Sequence, residues 1–164
     1  MDQHPILVLT TGGTIDKAYF DALSEYQIVD SGIPALLREA RVTLPFRVVE
    51  LMRKDSLELT DADRALIASM ALEAPERRIV ITHGTDTMTD TARVLATEVP
   101  GKTVVLTGAL SPARFAETDA PFNLGMAFAT AQTAAPGVYI AMSGQVFDGL
   151  KVRKDRAAGK FVAL

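Results

Sequence analysis

Short apolar runs that alternate with segments of helical spacing constrain the fold of this chain more than any other feature of its sequence. Each run is rich in β-branched residues and is bounded by glycine, proline or polar residues. Runs of this kind are typical of strands that are buried on both faces of a parallel sheet. The runs lie at residues 5–12, 46–52, 78–84, 102–108 and 138–144.

The segments between the runs predict helices that would cover such a sheet. Apolar residues keep helical spacing within residues 33–40, 60–74, 86–97 and 120–135. The second segment opens on Thr60-x-x-Asp63, which is a helix-capping pattern. We therefore predict a three-layer α/β fold of the Rossmann-like or flavodoxin-like kind, with a mostly parallel sheet flanked by helices. No linker or shift in composition divides the chain, so one domain spans residues 1–164.

Two segments fit this alternation less well. The polar stretch from Asp16 to Ser31 has neither helical nor strand periodicity, and its length favours a lid, a binding loop or a linker. The tail from residue 145 to 164 is mixed in character, and it predicts one further strand near Phe161.

The composition excludes several functional classes. The chain has no cysteine, which excludes disulfides, thiol nucleophiles and thiolate metal sites, and its two histidines disfavour a zinc site. We expect no metal and no cofactor, although the composition alone leaves a carboxylate-bound Mg²⁺ open. Basic residues are scattered, so nucleic acid is not expected as a partner. Neither a membrane-spanning run nor a secretory signal is present, which favours a cytoplasmic protein.

One short module occurs twice, and each copy follows a predicted strand. Thr11-Gly-Gly-Thr14 and Thr82-His-Gly-Thr85 share the pattern Thr-x-Gly-Thr. In open parallel sheets, ligands bind beyond the carboxyl ends of the strands. If the two strands are neighbours, Thr14 and Thr85 face one cleft, and the preceding glycines let the backbone approach a ligand closely.

A threonine hydroxyl is a weak nucleophile until a neighbouring base removes its proton. Asp86 follows Thr85 directly, and a lysine desolvated beside that pair could accept the proton. The plainer interpretation is that each threonine only caps the next helix, that Asp86 is a first-turn acid and that His83 is structural. Only the combination of these residues favours catalysis.

The segments Thr11-GGTID and Ile81-THGTDTM resemble the two signature motifs of the bacterial-type L-asparaginase/glutaminase family. The similarity continues through Val105-LTGALSPARF, Asp119-APFNLGMA and Phe147-DGLKVRK, so it covers nearly the whole chain. The resemblance implies hydrolysis of an amino-acid side-chain amide, with L-asparagine as the expected substrate, to the acid and ammonia without a cofactor. It also implies a homodimer or a higher homo-oligomer.

The resemblance assigns roles to individual residues. Thr14 matches the nucleophile, while Thr85, Asp86 and Lys154 match the threonine, aspartate and lysine of the catalytic relay. Tyr26 resembles the tyrosine that closes the active site from a flexible loop. Which threonine attacks stays open at this stage.

The resemblance also implies a substrate-binding shell. Ser56 resembles the serine that holds the substrate α-carboxylate, and Asp55 precedes it in the same segment. Asp86 doubles as a partner for the α-ammonium, beside Gly13, Gly84 and Thr85. Tyr19 competes with Tyr26 for the lid role, because that loop aligns loosely.

Two departures from the family pattern concern this shell. Leu57 stands where a polar residue is usual, and Glu58 is a candidate substitute for a missing carboxylate, although a solvated acid is the plainer interpretation. Family members are about twice as long and carry a second, smaller α/β domain that contributes to a neighbouring active site. We expect a natural short form that consists of the catalytic domain alone, rather than a truncated chain, because the sequence starts with Met1 and carries no tag.

Three alternatives remain open from the sequence. The same machinery could act on glutamine, on a D-amino-acid amide such as D-asparagine or on a small lactam. The domain could bind a ligand without turnover. A phosphate- or nucleotide-binding domain fits poorly, because a P-loop lysine and a ribose-binding acid are absent at the required offsets.

Overall fold

The apolar runs form a central sheet in the computed structural model, which describes residues 4–164. The strands of the described chain are β1 (Ile6–Gly12), β2 (Lys17–Phe20), β3 (Glu25–Ile28), β4 (Phe46–Lys54), β5 (Arg78–Thr82), β6 (Thr103–Thr107), β7 (Gly137–Met142), β8 (Gln145–Asp148), β9 (Val152–Asp155) and β10 (Lys160–Ala163). The helices are α1 (Ile33–Glu39), α2 (Asp61–Glu73), α3 (Met88–Glu98) and α4 (Ala120–Thr133).

The sheet has the strand order β4-β1-β5-β6-β7-β8. All neighbouring strands are parallel except β7 and β8, which pair antiparallel. The predicted mostly parallel sheet is therefore confirmed. β1 lies between β4 and β5, so the segments that follow these three strands all emerge at one edge of the sheet.

Helices cover both faces of the sheet. Ile67 of α2 and Leu95 of α3 are fully buried in the core on one face. Leu37 of α1 and Leu124 of α4 are buried in the core on the other face. This arrangement confirms the three-layer prediction. The predicted cap of α2 is also present, since Thr60 and Asp63 form a reciprocal capping box.

The stretch from Asp16 to Ser31 is more regular than the sequence indicated. β2 and β3 form an antiparallel hairpin in which Tyr19 lies opposite Tyr26, and both tyrosines are exposed. The hairpin lies outside the main sheet, so it has no fully buried face to impose an alternation of apolar residues. For this reason the periodicity of the sequence did not reveal it.

The tail was also predicted with too few strands. β8 extends the main sheet, while β9 and β10 form a separate hairpin. This hairpin buries Val152 and Phe161 against the core, and two buried positions are too few to produce a strand pattern. α3 begins at Met88 rather than at Asp86, because Thr85–Thr87 form a turn between β5 and the helix. None of the helices in residues 4–164 has the length and apolar content needed to cross a bilayer.

Lys102 closes the carboxyl end of α2. Its ammonium donates hydrogen bonds to the carbonyls of Ala71, Leu72 and Ala74, at 2.7, 2.9 and 2.6 Å respectively. The last carbonyls of a helix have no partner within the helix, and the helix dipole places negative charge there. Lys102 therefore ties α2 to the start of β6.

We expect Lys102→Met to lower the free energy of unfolding by about 2 kcal/mol, because it leaves these carbonyls without their charged donor. Urea denaturation followed by circular dichroism measures this change. The control is Lys160→Met, which removes the same charge from an exposed position on β10. Equal stabilities of the two variants would contradict the capping role of Lys102.

Candidate active site

Three segments meet through their backbones at the carboxyl edge of the sheet. A Cβ atom built on Gly13 would lie 2.5 Å from the nitrogen of Gly84, and one built on Gly84 would lie 2.7 Å from the Cβ of Ser56. Gly13 also has φ 84° and ψ −178°, a conformation that only glycine adopts readily. The structure thus brings together the ends of β1, β5 and β4. The repeated Thr-x-Gly-Thr module predicted this meeting for β1 and β5 only.

Thr14 directly follows this glycine contact and is half-buried at the start of a 3-10 turn. Its hydroxyl makes no hydrogen bond to another described residue. The N–H of Gly13 donates to the carbonyl of Lys54 at 3.0 Å, so it is engaged in the fold. The N–H groups of Thr14 and Thr85 make no hydrogen bond within residues 4–164, so both are free to donate to a ligand at this point.

Lys154 joins the second threonine and its neighbouring acid. Its ammonium donates to the Thr85 hydroxyl at 2.8 Å and to Asp86 Oδ1 at 2.7 Å. The lysine side chain is 15% exposed, while that of Asp86 is 33% exposed. The three residues that the family resemblance grouped into one relay are therefore in direct contact, although nearly 70 residues separate Lys154 from the other two.

Two contacts around this group were missed from the sequence. Arg156 approaches the same carboxylate oxygen as Lys154, with Nε 3.9 Å from Asp86 Oδ1. Thr87 donates its hydroxyl to the carbonyl of Ser56 at 2.7 Å, which ties the β5 turn to the segment after β4. No spacing in the sequence could have indicated the first contact, because Arg156 lies in the turn after β9, where strand alternation does not apply.

The Ser56 segment lies against the glycine contact. Ser56 is 1% exposed, and its hydroxyl has no hydrogen-bond partner among the described residues. Asp55 accepts a hydrogen bond from the Leu57 N–H and forms an ion pair with Lys17 at 3.2 Å. Burial acts to raise the pKa of Asp55, but these contacts outweigh it and hold the pKa below its usual range. Glu58 is exposed.

Tyr26 and Tyr19 lie side by side on the β2–β3 hairpin. Their ring centroids are 5.1 Å apart, and Tyr26 also packs against Phe115 in a tilted arrangement, with the centroids 5.9 Å apart. Because they are cross-strand partners, the two rings share one face of the hairpin. At the base of the hairpin, Asp16 accepts hydrogen bonds from Ser31 Oγ and the Gly32 N–H. Burial raises the pKa of the Asp16 carboxyl despite these bonds.

His83 is held in place beneath the site. Its ring is buried, with Nδ1 2.6 Å from the Gly84 carbonyl and Nε2 2.8 Å from the Thr91 hydroxyl. A neutral imidazole satisfies both contacts if Nδ1 donates and Nε2 accepts. Burial lowers the pKa of His83 from 6.5 to about 4. The structural interpretation of this histidine is consistent with these contacts.

We expect this depressed pKa to make the stability of the protein depend on pH. His83 binds a proton near pH 6.5 in the unfolded chain but only near pH 4 in the folded protein. The contribution of neutral His83 to the free energy of unfolding is therefore fully present above pH 6.5. That contribution, about 3 kcal/mol, is lost as the pH falls from 6.5 to 4. Urea denaturation at a series of pH values across this range gives the free energy of unfolding at each pH. This free energy should fall less steeply with decreasing pH for His83→Gln than for the wild type. An unchanged slope would contradict a buried neutral histidine.

In residues 4–164, no group of three or more histidine, cysteine, aspartate or glutamate side chains is arranged to hold a metal ion.

The arrangement of this site agrees with a clear relationship to known proteins. Residues 5–160 match the protein family described as "Asparaginase, N-terminal". The chain is 46% identical to L-asparaginase 2 of Escherichia coli over 159 residues, which cover 91% of this chain and 46% of that protein. It is 34% identical to the L-asparaginase of Thermococcus kodakarensis over 163 residues, which cover 94% of this chain and 48% of the relative.

Solved structures show the same relationship. The thermostable L-asparaginase from Thermococcus kodakarensis superposes with a TM-score of 0.86 at 30% identity, covering 98% of this chain and 51% of that one. The "Probable Cytoplasmic L-asparaginase" from Campylobacter jejuni superposes with a TM-score of 0.79 at 29% identity, over 92% and 49% of the two chains. The present chain therefore spans about half the length of the relatives it matches.

Proposed function

This chain belongs to the asparaginase family, whose N-terminal domain it matches over residues 5–160, and from that premise we propose that it hydrolyses L-asparagine to L-aspartate and ammonia. The single observation that carries the proposal is the contact of Lys154 with both Thr85 and Asp86, at 2.8 and 2.7 Å. This arrangement joins a hydroxyl, a carboxylate and an amine at the edge of the sheet where ligands of open parallel sheets bind.

In the proposed reaction, the Thr14 hydroxyl attacks the side-chain amide carbon. The N–H groups of Thr14 and Thr85 are candidates to stabilise the negative charge on the amide oxygen. The C–N bond then breaks, the leaving nitrogen takes a proton and departs as ammonia, and an ester to the threonine remains. Water hydrolyses this ester and regenerates the hydroxyl, so the sum is amide plus water to acid plus ammonia.

Lys154, Thr85 and Asp86 act in this proposal as the route for protons. The ammonium of Lys154 donates to both partners in the present arrangement. Only the uncharged amine can accept a proton from Thr85, so Lys154 has to lose a proton before the relay works as a base. Ser56 holds the substrate carboxylate in the same proposal, with Gly13, Gly84 and Asp55 shaping the pocket around it. Tyr26 or Tyr19 closes the site from the hairpin.

Ammonia release tests the proposal directly. The protein is incubated in turn with L-asparagine, L-glutamine and D-asparagine, and ammonia is followed with a coupled enzyme. We expect the highest kcat/KM for L-asparagine. Faster ammonia release from L-glutamine or D-asparagine would correct the proposed substrate, while the proposed amide hydrolysis would stand. No ammonia from any of the three amides would reject the hydrolase in favour of a domain that only binds its ligand.

We also propose a homo-oligomer and a cytoplasmic location. Leu110, Phe122 and Val146 are large apolar side chains that are about half exposed or more, and such side chains favour association when they lie together. Light scattering after size exclusion distinguishes a monomer from a dimer or a larger assembly. The cytoplasmic location follows the description of the Campylobacter jejuni protein, and cell fractionation tests it.

A further inference from the structure

Arg156 places a second cation on the carboxylate of Asp86. Its Nε lies 3.9 Å from Asp86 Oδ1, and its Nη2 donates to the Asp86 carbonyl at 3.5 Å. Lys154 contacts the same Oδ1 at 2.7 Å. Arg156 is 67% exposed while Lys154 is only 15% exposed, so the arginine forms the outer rim of this group and the lysine its inner part.

The position of Arg156 follows from the local backbone. Lys154 lies on β9, and Arg156 is the first residue after that strand, two positions further along. Both side chains reach the same carboxylate oxygen, Lys154 from the strand and Arg156 from the turn that follows it. Arg153 lies on the same strand one position before Lys154, so its side chain projects to the other side of the strand. It is exposed and makes no ion pair with a described residue.

The consequence is electrostatic. Asp86 is the carboxylate that the proposed function assigns to the substrate α-ammonium, and here two cations share it. The group of Lys154, Asp86 and Arg156 carries a net charge of +1 when all three are ionised. A ligand carboxylate is therefore attracted to this rim. A ligand ammonium is attracted by Asp86 but repelled by Arg156.

We infer that Arg156 is a specificity-determining residue that reduces the advantage of an α-ammonium, so the site accepts small amides that carry a carboxylate with or without an α-amino group. This inference rests on the proposed function for the location of the amino group. It extends that function to the deaminated analogue of asparagine, succinamate, as a second substrate.

Binding of L-aspartate and of succinate tests the inference, because the two dicarboxylates differ only in the α-ammonium. Isothermal titration calorimetry gives both affinities for the wild type, Arg156→Gln and Arg153→Gln. We expect the wild type to bind L-aspartate and succinate with affinities within roughly threefold of each other. For Arg156→Gln, the ratio of the affinity for L-aspartate to that for succinate should rise by roughly three- to tenfold. Arg153→Gln should leave the ratio unchanged. High salt should shrink the effect of Arg156, because this side chain is exposed.

Ammonia release from L-asparagine and from succinamate provides the second readout, and the kcat/KM ratio of the two amides should move in the same direction. A ratio that Arg156→Gln leaves unchanged, or a wild type that prefers aspartate to succinate by more than roughly 100-fold, would overturn the inference. If neither amide releases ammonia, the proposed function fails, and the ratio of aspartate to succinate binding still decides the role of Arg156.

Discussion

Thr14→Ala is expected to lower kcat for ammonia release from L-asparagine by at least roughly 10³-fold, because it removes the oxygen that forms the proposed ester. Alanine fits the site, since Thr14 is half-buried and its hydroxyl bonds to no other described residue. The fold should therefore stay intact. Coupled measurement of ammonia, together with the thermal unfolding midpoint, separates lost chemistry from lost structure.

Two further variants sharpen this result. Thr14→Ser keeps a hydroxyl and should retain part of the activity. Thr43→Ala changes an exposed threonine in the loop before β4, at the opposite edge of the sheet, and should have no effect. Mass spectrometry of the acid-quenched protein should place the acyl group on Thr14. An acyl group on Thr85, together with substantial activity of Thr14→Ala, would show that Thr85 rather than Thr14 is the nucleophile.

Lys154→Met is expected to reduce kcat by roughly 10²- to 10⁴-fold while it leaves the fold in place. Methionine fills the space of the lysine stem but supplies no group that can exchange a proton with Thr85. Asp86 keeps Arg156 as a neighbour and stays available to the substrate ammonium, so KM should change less than kcat. Steady-state kinetics of ammonia release from L-asparagine measures both parameters.

Lys151→Met is the matched control for this variant. It removes a lysine from an exposed position three residues earlier and should keep wild-type kinetics. If Lys154→Met lost activity only in proportion to a lower unfolding midpoint, the lysine would be a structural brace for the hairpin rather than part of the relay. Retention of more than about a tenth of wild-type kcat would contradict its role in proton transfer.

The sequence predicted the parts of this protein in which burial imposes a pattern. β1 is buried at every position and β5 at every position but its first, because helices cover both faces of the sheet, and the modules at their ends were placed together at one edge. The Gly13–Gly84 contact explains why each module needs its glycine, since a side chain at either position would collide with a neighbouring segment.

The rest escaped prediction because it depends on contacts that leave no periodic signal. Lys154 reaches Thr85 from a hairpin whose two strands bury only Val152 and Phe161 deeply. Nothing in the local spacing selects this lysine, and only the family resemblance identified it. The sequence could not separate Tyr19 from Tyr26 because their loop aligns loosely, and in the structure the two lie opposite each other on one hairpin and project to the same face.

The separate β9–β10 hairpin makes the completed site depend on the docking of one small unit. Its strands pair only with each other and not with the main sheet, yet Thr85 and Asp86 acquire their amine only when this hairpin docks through Phe161 and Val152. Local opening of such a unit costs less free energy than global unfolding. Heat or denaturant should therefore separate Lys154 from Thr85 and Asp86 while most of the sheet is still folded. Ammonia release would then be lost before the main unfolding transition.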